Sequence, residues 1–351
     1  MQGTLFIKRL STVALCVSAL TFPVIASADT LISDEALDAW YRDGKYGQVI
    51  ATLEDEKNKS AERFSTYISA LMNTDLDDAE EAAEDFIKAY PENYRVYMLH
   101  ASVMGAQAGE SIFSALGYAK KARKSLEKAI EVAPDEIRTY QALFQYHLFV
   151  PSIAGGDMDT AESLVADIAA LDPDEGQIAE AKYLLAGDKK EEGISLLKTL
   201  MEKPETRVYA RYVLGDQYMS DEAYPQAFET LQPLLTLRLE AASEEDEFAW
   251  EAYSENRFNQ LYGLYRLGQT AVQSGEYTGT GIQALETYLS ELPEAGIDTD
   301  GLPSLNWANL RLAELYLHDD NKEQAKLILQ RISGKEDDRF SKLLKKLQKK
   351  V

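Results

Sequence analysis

Three histidines, His100, His147 and His318, are the first candidates for general acid–base or metal-binding work. None has a second histidine three or four residues away, and neither H-E-x-x-H nor G-x-S-x-G occurs. Ser125 with Lys128, and Ser195 with Lys198, match S-x-x-K, but the companion motifs of that enzyme class are missing. Asp298, Asp300 and Gly301 would suit part of a calcium loop, where carboxylates and a bending glycine wrap a hard cation. Gly296 stands where the first ligand should be, however, and Trp307 where the closing glutamate should be. A polar turn is the expectation there. Gly155 and Gly156 lack the lysine of a phosphate loop and read as another turn. The acidic run Glu244 to Glu247 reads as a solvated face on an irregular or extended-helix connection. No catalytic, metal or cofactor site is therefore expected, and the chain reads as a non-enzyme.

The first residues look like an address. Lys8 and Arg9 precede an apolar run from Val13 to Ile25, which ends in the small residues Ala26, Ser27 and Ala28. Basic flank, short apolar core and small-x-small end predict a signal peptide over 1–28, cleaved after Ala28, and a periplasmic location. The run is too short to span a bilayer comfortably. Cys16, the only cysteine, lies inside it, and Leu15 occupies a place where a lipoprotein signal wants a small residue. The exported remainder, 29–351, would have no cysteine, hence no disulfide and no thiol chemistry. With a formal charge of −23 and 45% apolar residues, the chain is acidic yet globular in composition. Such a surface repels nucleic acid and anionic headgroups. The C-terminal end is basic: Phe340, Leu343, Leu344, Leu347 and Val351 recur at helical spacing, with Lys345, Lys346, Lys349 and Lys350 between them. That predicts a capping helix over 337–351, whose lysines could make a weak surface contact with a membrane or an acidic partner.

Between these ends the chain repeats itself. Tyr209 to Leu235 reads YARYVLGDQYMSDEAYPQAFETLQPLL, with Leu214 and Gly215 shortly before Tyr218, then Ala227, Leu231 and Leu234. Ala79, Ala83, Phe86 and Pro91 repeat the second half of that spacing; so do Ala122, Leu126, Ala129 and Pro134, and Ala161, Val165, Ile168 and Pro173. Gly281, Leu285, Tyr288 and Pro293, and then Ala325, Leu329 and Ile332, complete the series. A proline just past a helix stops it, because its ring removes a donor and disfavours helix before it. The pattern resembles the tetratricopeptide repeat (TPR), although Arg211 replaces the family's tryptophan. The resemblance covers nearly all of 33–333 and is weakest around Trp40 to Leu53 and Ala179 to Pro204. It predicts an all-α, TPR-like solenoid: a right-handed superhelix of about eight helical hairpins, finished by the capping helix. About nine extra residues around Gly105 and Gly109 are expected as a connection between the helices of the third hairpin.

The family register also implies a binding face. In it His100 and His147 pack inward, while a subset of first-helix positions faces a concave groove. Those positions hold Tyr209, Tyr212, Asp216 and Met219 in the sixth hairpin, Tyr262, Tyr265 and Gln269 in the seventh, and Trp307 and Leu310 in the eighth. The third and fourth contribute Arg95, Met98, Arg138, Gln141 and Gln145. Aromatic anchors beside a few polar groups suit protein recognition. The expected function is a periplasmic scaffold or adaptor holding a peptide or protein segment in that groove. Two rivals stand beside it: an accessory subunit of an envelope assembly or transport machine, and an unrecognised hydrolase.

Overall fold

The computed structural model describes residues 32–110, 114–243, 245–299, 301–334 and 336–351. The signal segment 1–28, with Cys16, lies outside them, as do Glu244 and Asp300. The described residues form seventeen α-helices and no strand. Sixteen of them pair as eight successive hairpins. These are α1 (Asp34–Arg42) with α2 (Tyr46–Leu53), α3 (Ala61–Met72) with α4 (Leu76–Ala89), and α5 (Tyr94–Glu110) with α6 (Ala115–Val132). Next come α7 (Ile137–Phe149) with α8 (Met158–Leu171), α9 (Pro173–Ala186) with α10 (Lys190–Leu200), and α11 (Arg207–Ser220) with α12 (Tyr224–Leu231). Then follow α13 (Glu247–Ser274) with α14 (Thr278–Glu291), α15 (Leu305–His318) with α16 (Lys322–Leu329), and the single helix α17 (Asp338–Gln348). Each helix packs on the next in the chain, so the molecule is a TPR-like α-solenoid with a terminal cap.

The small residues of the repeat sit where helices meet most closely. A Cβ on Gly215 of α11 would fall 2.5 Å from Leu231 of α12, and one on Gly268 of α13 would fall 2.4 Å from Leu285 of α14. Turns repeat as well. Gly44, Glu222 and Asp320 all have positive φ, each two residues past the end of its hairpin's first helix. In each turn the following N–H reaches six-to-one back to a helix carbonyl: Lys45 to Trp40, Ala223 to Tyr218 and Asn321 to Tyr316, all at 2.8 Å. That is a Schellman stop, which satisfies carbonyls that the helix end would orphan. The prolines do more than stop helices. Tyr97 and Tyr140, in the first turns of α5 and α7, donate to the carbonyls of Pro91 and Pro134 at 2.9 and 3.0 Å.

Three local expectations change. The extra residues of the third hairpin are not a loop: Gly105 and Gly109 lie inside α5, and both helices are lengthened instead. Pro173 stands just past the end of α8 as expected, but it also opens α9 at its first position, where its missing donor costs nothing. Asp172 just before it caps α9, accepting from the N–H groups of Asp174 and Glu175 at 2.8 and 3.0 Å. The third change matters most. Gly268 corresponds to Gly215, so by analogy with α11 the first helix of the seventh hairpin should begin near Gln260. It begins at Glu247, which adds roughly 20 Å of helix.

Candidate functional site

The added turns of α13 build the site. They cross the first helices of the preceding hairpins in order, meeting a different helix at each step. Glu251 lies 3.4 Å from Arg138 of α7, whose guanidinium is already held by both oxygens of Glu136 at 2.7 and 3.0 Å. One turn on, Glu255 comes within electrostatic range of Glu175 and Lys182 of α9. Tyr262 then stacks on Tyr212 of α11, with ring centroids 5.0 Å apart, and Arg266 pairs with Asp216 of α11 at 2.8 Å. Below, Gln260 anchors the helix by donating to the carbonyls of Leu234 and Leu237 at 3.1 and 2.9 Å. A cleft of about 640 Å³ is left between α7, α9 and α11 on one side and α13 on the other.

The cleft has a polar interior. Lys182 donates to the hydroxyl of Tyr209, and Gln141 donates to Glu175 at 2.8 Å. Burial raises the Glu175 carboxyl to about 7, helped by the charge of Glu255. Burial lowers the Lys182 ammonium to about 8, although the two glutamates pull it the other way. Tyr209 and Tyr212 are pushed up by burial and by neighbouring carboxylates, so both stay protonated hydrogen-bond donors. Burial between the cleft walls, and next the charge of Glu251, raise the Glu255 carboxyl as well, although part of the residue still reaches water. Among the described residues no group of histidine, cysteine and carboxylate side chains could hold a metal ion.

The residues expected on the groove divide into two sets. Gln141, Tyr209, Tyr212, Asp216 and Tyr262 line this one cleft, with Gln145 beside them and Arg138 at its edge. Gln269 sits just beyond, accepting from Arg266 at 2.9 Å. Tyr265 is not on the wall: it is 4% exposed and packs in the core against Tyr288. Trp307 is covered by the C-terminal helix, edge-on to Phe340 at 5.1 Å and under Arg339. Leu310 and Met219 are buried too. The register that places first-helix side chains inward assumes an ordinary hairpin, and both α13 and the cap add a layer that covers its later members. The histidines are elsewhere. His100 meets Ser125 at 2.8 Å between α5 and α6, His147 is buried in α7, and His318 ends α15 in solvent.

Lys182, Glu175, Glu255, Phe258 and Phe149 escaped the sequence reading. The first two lie in the short, degenerate fifth repeat, whose groove positions the register did not assign, and Phe149 ends α7 just before a turn. Glu255 and Phe258 lie in the added turns, for which one signal did exist. No glycine or proline interrupts 247–262, so a helix begun at Asp246 has nothing to stop it.

No family model matches the chain, and no curated protein matches it. Among solved structures it is similar to TTC0263, a thermophilic TPR protein of Thermus thermophilus, at 17% identity and a TM-score of 0.41, over 53% of this chain and 96% of that one. It is also similar to the APC/C hetero-tetramer Cut9–Hcn1, at 15% identity and a TM-score of 0.38, over 89% of this chain and 54% of that one. The human IFIT1 dimer with m7Gppp-AAAA matches at 12% identity and a TM-score of 0.38, over 84% and 66%. The chain thus spans about half the length of the Cut9–Hcn1 chain that it matches.

Proposed function

We propose that this protein is a non-catalytic interaction scaffold of the periplasm, which holds a segment of a protein partner in the cleft between α13 and the preceding first helices. One observation carries the reading: side chains from four successive hairpins converge on a single open cleft, with an unpacked aromatic ring at its rim. That ring is Phe149, 69% exposed, and Ile153 in the adjoining turn is 81% exposed. Large exposed apolar groups beside a concave, hydrogen-bonding wall are what a docked segment would cover. The periplasmic location rests on residues 1–28 alone, and intact-mass analysis of exported protein should give a chain starting at Asp29.

A photo-crosslinking amino acid placed at Gln145, in the cleft, should trap a partner in the native envelope. The same group at Asp167, exposed on α8, should not. Adducts from Asp167 with none from Gln145 would move the site to another face.

A further inference from the structure

We propose that the cleft selects a partner segment carrying a basic side chain, which sits at Glu255, and an apolar side chain, which covers Phe149. This rests on the docking role just argued and names the chemistry of the occupant. The cleft has two unlike ends. Along α7 it runs from Gln141, hydrogen-bonded to Glu175, to Phe149 at the helix terminus, about 12 Å away. Near Phe149 the wall is completed by Leu185 and Ala186, at the end of α9.

At the polar end almost every charged side chain already has a partner. Asp216 is paired with Arg266, and Arg138 is shared between Glu136 and Glu251. Lys182 donates to Tyr209, and Glu175 accepts from Gln141. Glu255 is left: its carboxylate receives no hydrogen bond and no ion pair among the described residues. It faces Glu251 on its own helix, Glu175 on α9 and Asp172 at the cap of α9, and only Lys182 and Arg138 as cations. An ammonium or guanidinium supplied by a partner would offset this surplus of carboxylates, with charge-assisted hydrogen bonds to Glu255. The acidity of the whole chain adds to that preference by drawing basic segments toward it. An extended segment advances about 3.3 Å per residue, so basic and apolar side chains four positions apart would span the two ends on one face.

The test uses an array of acetylated, amidated pentapeptides with a constant Ser-Thr-Ser centre and every ordered pair of terminal residues. Mature protein should bind peptides with Lys or Arg at one end and a large apolar residue at the other, and salt should weaken the binding. The variant Glu255→Gln should lose the preference for the basic end, with affinity for those peptides falling roughly tenfold. The melting temperature should not fall, since Glu255 makes no hydrogen bond that holds the fold. Phe149→Ala should keep the basic preference and lose the apolar one. Binding without a basic preference, or a preference that survives in Glu255→Gln, overturns this inference and leaves the docking cleft standing. No binding by any peptide, together with no crosslink from Gln145, sinks both.

Discussion

Gly215 and Gly105 are both helical glycines, and their surroundings assign them opposite effects. A Cβ at Gly215 would overlap Leu231, whereas one at Gly105 in the middle of α5 would meet nothing within 4 Å. Gly215→Ala should therefore destabilise by about 1–3 kcal/mol through overpacking. Gly105→Ala should stabilise by up to about 1 kcal/mol, since the backbone loses less freedom on folding. Thermal melts read both signs, and equal shifts would mean that the hairpin register is wrong. Asp221, just past the end of α11, accepts from Lys190 and from Gln217. Glu175 gives a prediction with a pH axis. Its folded carboxyl, near 7, lies above its ordinary value of 4.5, so the fold favours the neutral form. The stability it contributes is whole below about pH 4.5 and is lost as pH climbs to 7. Glu175→Gln keeps the neutral form throughout. Its melting temperature should match the wild type near pH 4.5 and exceed it increasingly toward pH 7. A difference that stays flat, or shrinks, across that range would contradict the assignment.

At the scale of the element, α13 decides what the groove can be. Its first turns are held by the pair of Glu251 with Arg138, by Arg257 reaching Glu291 at 3.0 Å, and by Gln260 on two carbonyls. Ala252 is exposed and makes none of these contacts, but a proline there would remove a helical donor and clash with the preceding turn. Ala252→Pro should free the amides of 247–254 to exchange with deuterium, leave those of Leu261 to Ala271 protected, and open the cleft. Exchange spreading through the whole hairpin would mean that the added turns are integral to the fold. Much of this architecture was legible in the sequence. The alternation of Gly215, Ala227 and Leu231, and of Ala79, Ala83 and Phe86, reports helix–helix contact that only a hairpin provides. The cleft was legible in half. Tyr209, Tyr212 and Tyr262 could be placed because their repeats are regular. Lys182 could not, since Ala179 to Pro204 departs from the spacing, nor Glu255, since a helix that overruns its repeat leaves the periodic signal unchanged.

For the whole molecule, the consequence of a solenoid is that each hairpin depends chiefly on its neighbours. The buried residues form clusters in series: one from the second hairpin into α9, one from the sixth hairpin into the cap, and smaller ones beside them. The cap closes the series by burying Phe340 and Leu347, with Lys345, Lys346, Lys349 and Lys350 left outside. Phe340→Ala should cost about 3 kcal/mol or more at that end. Hydrogen exchange should rise in α15 and α16, fade through α13 and leave α3 to α6 unchanged. A uniform rise would indicate one cooperative body instead.

The cleft as the docking surface is the central claim, and the affinity of a partner trapped from Gln145 tests it most directly. Phe149 is 69% exposed, so its loss can be read as binding rather than folding. Phe149→Ala should weaken that affinity by about 2 kcal/mol, roughly thirtyfold, at an unchanged melting temperature. Unchanged affinity in Phe149→Ala, with binding lost on substitution of Asp167 on the outer face, would contradict it.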